Sequence, residues 1–171
     1  MKKVSFYLLA VLFSFTAISF QSCKDDDDDP APEEFIADDA SFGNFMSWVK
    51  EASLSGPDPL LGPAHAGNDS TVTRDIWFKN GQDAVSGEYP IGTLIVKHSH
   101  NPGGTVAEYT AMAKRGNDFN PAAGDWEWFM LKEDGSIMED GDGNPVRGAN
   151  LMEGMCVGCH TGASTDYVFA K

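Results

Sequence analysis

Cys156-Val157-Gly158-Cys159-His160 sets two thiols three positions apart, with an imidazole directly after the second. On a helical turn two such thiols reach the two vinyl groups of one porphyrin and become thioethers. The adjacent His160 is then held beneath the ring, where its imidazole binds iron as the proximal ligand. The motif therefore reads as one covalent haem c per chain, held by Cys156, Cys159 and His160. A zinc site would need two further ligands in a partner spacing, and no second cysteine pair exists. A thioredoxin-like redox pair would want a helix after it, yet only Thr161–Lys171 follow.

The opposite end of the chain addresses the compartment. Met1-Lys2-Lys3 precedes a long apolar run, Val4 to Phe20, and then Gln21-Ser22-Cys23. That is the order of a secretory signal, with a small residue before a cysteine. The stretch Ile18 to Cys23 resembles a bacterial lipobox, although Phe20 stands where leucine is usual. Residues 1–22 are expected to be a lipoprotein signal peptide, cleaved before a lipidated Cys23. The three cysteines are then all used, one for lipid and two for haem, and none is left for a disulfide. Each buried acyl methylene contributes about 0.8 kcal/mol, so a multiply acylated terminus anchors durably. Lys24, Asp25 to Asp29 and Pro30 to Glu34 cannot fold alone and read as a solvated tether over 23–34. The expected location is the outer membrane, on its periplasmic or cell-surface face.

Net charge is −14, and it is not confined to the tether. Residues 1–34 hold seven acids and three bases, so the remainder keeps −10, as 19 acids against 9 bases. An acidic domain disfavours nucleic acid and anionic lipid as partners, so membrane contact is expected only through the anchor. Phe35 to Lys171, 137 residues, suffices for one domain and one core.

Within that domain, Phe42, Phe45, Met46 and Val49 fall at i, i+3, i+4 and i+7, which predicts a helix from about Asp38 to Ser53. Ser55 to Ser70, rich in Gly and Pro, reads as a surface loop, and His65 within it as solvated. Four stretches have strand composition between turn signals: Thr71–Lys79, Thr93–His98, Thr105–Lys114 and Asp125–Lys132. Glu133 to Gly148 reads as a loop, its Gly141-Asp142-Gly143-Asn144 lacking the ligand spacing of a calcium loop. Ala149 to Cys159 is expected to be a helix ending in the haem motif. The class is α+β: a mainly antiparallel sheet with an N-terminal helix and a C-terminal helix. Thr161–Lys171 contains neither Met nor His, so any sixth iron ligand has to come from upstream.

Four further stretches resemble the cytochrome P460 family and its β-sheet cytochrome c′ relatives. They are Tyr89-Pro90-Ile91-Gly92-Thr93-Leu94-Ile95-Val96-Lys97, Met112-Ala113-Lys114-Arg115, Gly124-Asp125-Trp126-Glu127-Trp128, and Cys156 to His160 followed by Asp166-Tyr167-Val168-Phe169. The resemblance runs from about Arg74 onward. It implies a five-stranded sheet with flanking helices, a homodimer, and a five-coordinate haem with His160 proximal. It also puts Lys97 where the P460 enzymes join a lysine to the porphyrin edge. Those enzymes oxidise hydroxylamine and pass electrons to a redox partner; the c′-type relatives keep a similar lysine without the bond and bind nitric oxide under an apolar cap. Oxidation needs a proton acceptor over the iron, for which Glu108 is the first candidate and Asp125 the second. Three functions stay open: a hydroxylamine- or nitric oxide-converting enzyme using Lys97 and a carboxylate, a nitric oxide binder capped by aromatics such as Phe119 or Phe129, and a plain electron carrier.

Overall fold

Among the described residues, six antiparallel strands follow one another across a single sheet in chain order. They are β1 (Val49–Ser55), β2 (Thr73–Phe78), β3 (Leu94–His100), β4 (Ala107–Lys114), β5 (Trp126–Leu131) and β6 (Arg147–Gly148). The computed structural model describes residues 33–169, which lie in the compact unit Pro32–Lys171. The expected signal peptide, Cys23 and most of the acidic tether lie outside the described residues. Each of the four predicted strands is present, trimmed by a residue or two at its ends, except that β4 ends at Lys114 as expected and β3 runs on to His100. Turn chemistry explains the joins. Between β3 and β4 the Asn101 side-chain oxygen accepts from the Thr105 and Val106 amides at 3.0 and 3.2 Å, and Gly104 takes a φ of 66°.

The expected N-terminal helix is absent. Asn44 at φ 55° breaks the backbone after Gly43, leaving only a 3-10 turn, Phe45–Ser47. The chain then becomes β1, pairing Val49 with Phe78 and Ser55 with Thr73. The apolar spacing that suggested a helix is real for Phe42 and Phe45, both buried, but Met46 and Val49 are exposed. A strand partner for β1 outcompetes an isolated helix whose stripe is half unburied. The sheet therefore has six strands, and the fold is mostly β and only broadly α+β. The C-terminal helix is also shorter than expected. Met152 and Glu153 have positive φ and Gly154 has φ 83°, so among the described residues only α1 (Met155–His160) is α-helical.

Strand alternation divides the sheet into two faces. On one, Trp77, Leu94, Val96, Tyr109, Ala111, Phe129 and Leu131 are buried under Phe42 and Phe45. The Phe42 ring lies 4.9 Å from Phe129 and the Phe45 ring 5.3 Å from Trp77. Full burial of each phenylalanine contributes about 1.5–3 kcal/mol. On the other face, Ile76, Phe78, Ile95, Met112, Trp126 and Trp128 meet Tyr89, Val168 and α1, and there the packing leaves a cavity.

Candidate functional site

The cavity encloses about 530 Å³ and is lined by the sheet, by residues 61–65 and by the segment from Leu151 to Phe169. Strand register arranges this face of the sheet in three rows. Phe78, Ile95, Met112 and Trp128 are cross-strand neighbours; two residues along come Ile76, Lys97, Thr110 and Met130; two further come Arg74, Ser99 and Glu108. At about 3.4 Å per residue, the outer rows lie roughly 14 Å apart with Lys97 on the level between them.

His160 stands at the first row. Its ring lies 4.6 Å from that of Trp128 and 5.5 Å from that of Phe169. Nδ1 bonds the Tyr167 carbonyl oxygen at 2.6 Å, which fixes Nδ1 as the donor and leaves Nε2 as the lone-pair nitrogen. That carbonyl is held in place from behind. Asp166 accepts from Lys114 Nζ at 2.8 Å and from the Tyr89 amide at 2.7 Å, while Trp126 Nε1 donates to the Asp166 carbonyl at 2.8 Å. Burial pushes the His160 imidazole down to about 4, so the ring is neutral, the form that binds metals. Cys156, one turn back on α1, and Cys159, directly before His160, line the same cavity.

Glu108 marks the far row, and it is not alone there. His65 Nδ1 lies 3.0 Å from Glu108 Oε1, both side chains being largely covered. The bond to His65 holds the Glu108 carboxyl below its usual value, ahead of the opposing effect of burial. Burial likewise lowers the His65 imidazole, which Glu108 raises and Lys97 and Arg74 lower further. The His65 loop is closed by the Asp58 amide donating to the Gly67 carbonyl at 2.7 Å and tied to β2 by Arg74 donating to the Gly56 carbonyl. In the middle row, burial pushes Lys97 down to about 8, against the pull of Glu108 and with the help of Arg74. A fraction of its amine is therefore uncharged and nucleophilic near neutral pH.

Cys156, Cys159, His160, Lys97 and Glu108, separated by up to 63 positions in the chain, thus line one cavity. The second candidate base does not join them. Asp125 Oδ1 accepts from the Asn120 amide at 2.9 Å, and Asp125 lines a different groove with Tyr89 and Pro90. Phe119 lies under the Arg115 guanidinium at 4.1 Å, away from the cavity; Phe129 is among the lining residues, although its ring packs 4.9 Å from that of Phe42. His65 is the residue that sequence reading put in solvent and the structure puts in the site. Its Gly/Pro-rich context signalled a loop, and nothing local signalled a partner 43 positions away. Leu61 and Pro63 of the same loop add apolar lining.

A c-type haem fits this donor set: two thiols on one helical turn, a neutral imidazole with its other nitrogen engaged, and a mainly apolar enclosure of ligand size. A zinc reading does not, since among the described residues no three His, Cys, Asp or Glu side chains group as metal ligands. No helix of the described residues is long and apolar enough to cross a membrane. Compared with family models, curated proteins and solved structures, the chain finds no match.

Proposed function

We propose that the chain is an exported c-type haem protein of the cytochrome P460 type, acting on hydroxylamine or nitric oxide. One observation carries the proposal: His160 and Glu108 stand at opposite ends of a single apolar cavity, with Lys97 on the level between them. When bound, the haem would supply one-electron chemistry and an open coordination position. Cys156 and Cys159 would hold it covalently, and His160, its Nδ1 tied to Tyr167, would be the proximal ligand. Lys97, partly uncharged, would be the side chain that bonds to the porphyrin edge. Glu108, charged at neutral pH, would supply the carboxylate of the site that takes up the protons a nitrogen substrate sheds as electrons leave for a redox partner. Ile76, Ile95, Met112 and Trp128 exclude water from the reacting centre.

Intact mass and the optical spectrum of the purified protein test this together. The expected mass includes one haem that denaturation does not remove. A Lys97 bond would interrupt the conjugation of the ring and shift its absorption strongly to the red. Lys97→Met is then expected to restore an ordinary c-type spectrum and to lower hydroxylamine turnover. A chain of bare polypeptide mass would sink the proposal. The apolar Leu61 and Pro63 at the cavity favour a second reading, a nitric oxide binder without turnover. An ordinary wild-type spectrum with nitric oxide binding and no turnover selects it. The lipid anchor at Cys23, the outer-membrane location and a homodimer belong to the same proposal; release of Cys23→Ala from membranes into the soluble exported fraction checks the anchor.

A further inference from the structure

We propose that His65, oriented by Glu108, is the proton acceptor at the distal end of the cavity, so that the two side chains act as one dyad. The inference rests on the haem reading above. Glu108 alone is poorly arranged for the task, because Oε1 of its carboxylate is engaged by His65 Nδ1 at 3.0 Å. The same contact has a second effect. An imidazole whose Nδ1–H donates to a carboxylate is held in one tautomer, with its lone pair on Nε2. His65 lines the cavity, and its Nε2 has no hydrogen-bond partner among the described residues. The carboxylate then stabilises the imidazolium that forms when Nε2 takes a proton.

The surroundings agree with that division of labour. Lys97 of β3 and Arg74 of β2 are the cations facing the dyad, Glu108 of β4 is its anion, and Asp58 of the His65 loop faces Lys97. Cys156 and His160 of α1 face the same space from the other end. Burial, with the two cations adding to it, keeps the imidazole neutral and ready to accept, while Glu108 keeps the charged form from being prohibitive. In the transfer, the bond between the proton and its ligand breaks, the bond between that proton and Nε2 forms, and no electron moves. The His65 side chain is 19% exposed, so the proton then has a path to solvent. This also gives a use for the loop from Gly56 to Gly67, whose closure and tie to Arg74 hold His65 against the sheet.

Cyanide and nitric oxide are the probes that isolate the step. Below its pKa cyanide arrives as the neutral acid and must lose a proton to bind ferric haem, whereas nitric oxide has none to lose. The variant is His65→Gly, since a φ of 50° suits glycine and the missing ring leaves room for added imidazole. Cyanide association in the holoprotein should slow about 10²-fold, nitric oxide association should be unchanged, and free imidazole should restore the cyanide rate. Glu108→Gln should move the inflection of the cyanide rate against pH downward, because the carboxylate that favours the imidazolium is gone. Equal changes in both ligand rates would make His65 a steric cap and overturn the inference. A cyanide rate that Glu108→Gln abolishes and His65→Gly leaves intact would return the role to Glu108. A low-spin ferric spectrum that relaxes in His65→Gly would make His65 an axial ligand instead. Absence of haem from the isolated protein appears earlier, in its mass, and overturns the haem reading itself.

Discussion

The two faces of the sheet are made from similar residues, yet one is closed and the other holds a cavity. On the closed face, Val96, Trp77, Phe129 and their neighbours meet Phe42 and Phe45 directly. On the open face the floor is just as apolar along the first row but carries Lys97, Glu108 and Arg74 further on. What covers the cavity is the His65 loop and the segment from Leu151 to Phe169 with its one short helix. A closed face returns stability through contact. An open face forgoes part of it, and Lys97 and Glu108, left under cover there, have shifted charge equilibria. The difference teaches where to look for function: on the face where packing stops short.

The largest effect expected is on the open face. Cys156→Ala with Cys159→Ala should abolish covalent haem altogether, read as loss of haem mass and haem staining after denaturation. Next comes the closed face. Phe45→Ala should cost about 3–5 kcal/mol, measured as a fall in the urea midpoint at unchanged slope. A cost below about 1 kcal/mol would show that the face is less tightly packed than its ring contacts indicate.

Lys97 sharpens the comparison through pH. In the haem-free Cys156→Ala, Cys159→Ala background, the folded-state value of about 8 lies below the ordinary lysine value. Below pH 8 the folded chain has to carry a covered charge, so the destabilisation is fully present. It lifts as pH rises from about 8 towards 10.4, where the unfolded chain also loses its proton. Stability should therefore rise across that window in the Lys97 protein and stay flat by comparison in Lys97→Met. The gap between them at neutral pH should be up to about 3 kcal/mol in favour of Met. Two parallel stability profiles would show that the amine is solvated in the folded chain.

Strands were legible because their evidence is local. β3 is Leu94-Ile95-Val96-Lys97 between turn signals, and antiparallel pairing then fixes which side chains share a face. Lys97 could be named from the P460 resemblance and Glu108 from the need for a proton acceptor, before their meeting was visible. The N-terminal helix was misread because helical spacing at Phe42, Phe45, Met46 and Val49 is also compatible with a kinked turn leading into an edge strand. The break lies in the Asn44 backbone rather than in apolar periodicity. β6, two residues long, carries no periodic signal at all. His65 was illegible for a different reason: its partner is chosen by how a Gly/Pro loop closes over the sheet, a long-range event that composition does not encode.

The smallest expected effect on stability tests that loop. Gly67 is buried with an ordinary φ of −62°, so conformational freedom does not explain it. Space does. A Cβ there would collide with the Leu61 side chain and come within 2.8 Å of the Gly62 carbonyl oxygen. Gly67→Ala must therefore push the two ends of the loop apart, at a cost of about 1–3 kcal/mol. The sheet should not register the change, because the loop rests on it through few ties, chiefly Arg74 to Gly56 and His65 to Glu108. Haem retention and the closed face should be unaltered, with cyanide association slowed as His65 is displaced from Glu108. The measurement is the pair of values, the urea midpoint and the cyanide rate, on one preparation. If stability falls while the cyanide rate holds, the loop moves without carrying His65 away from Glu108. If the rate falls with little loss of stability, distal geometry is set by loop closure rather than by the sheet beneath it.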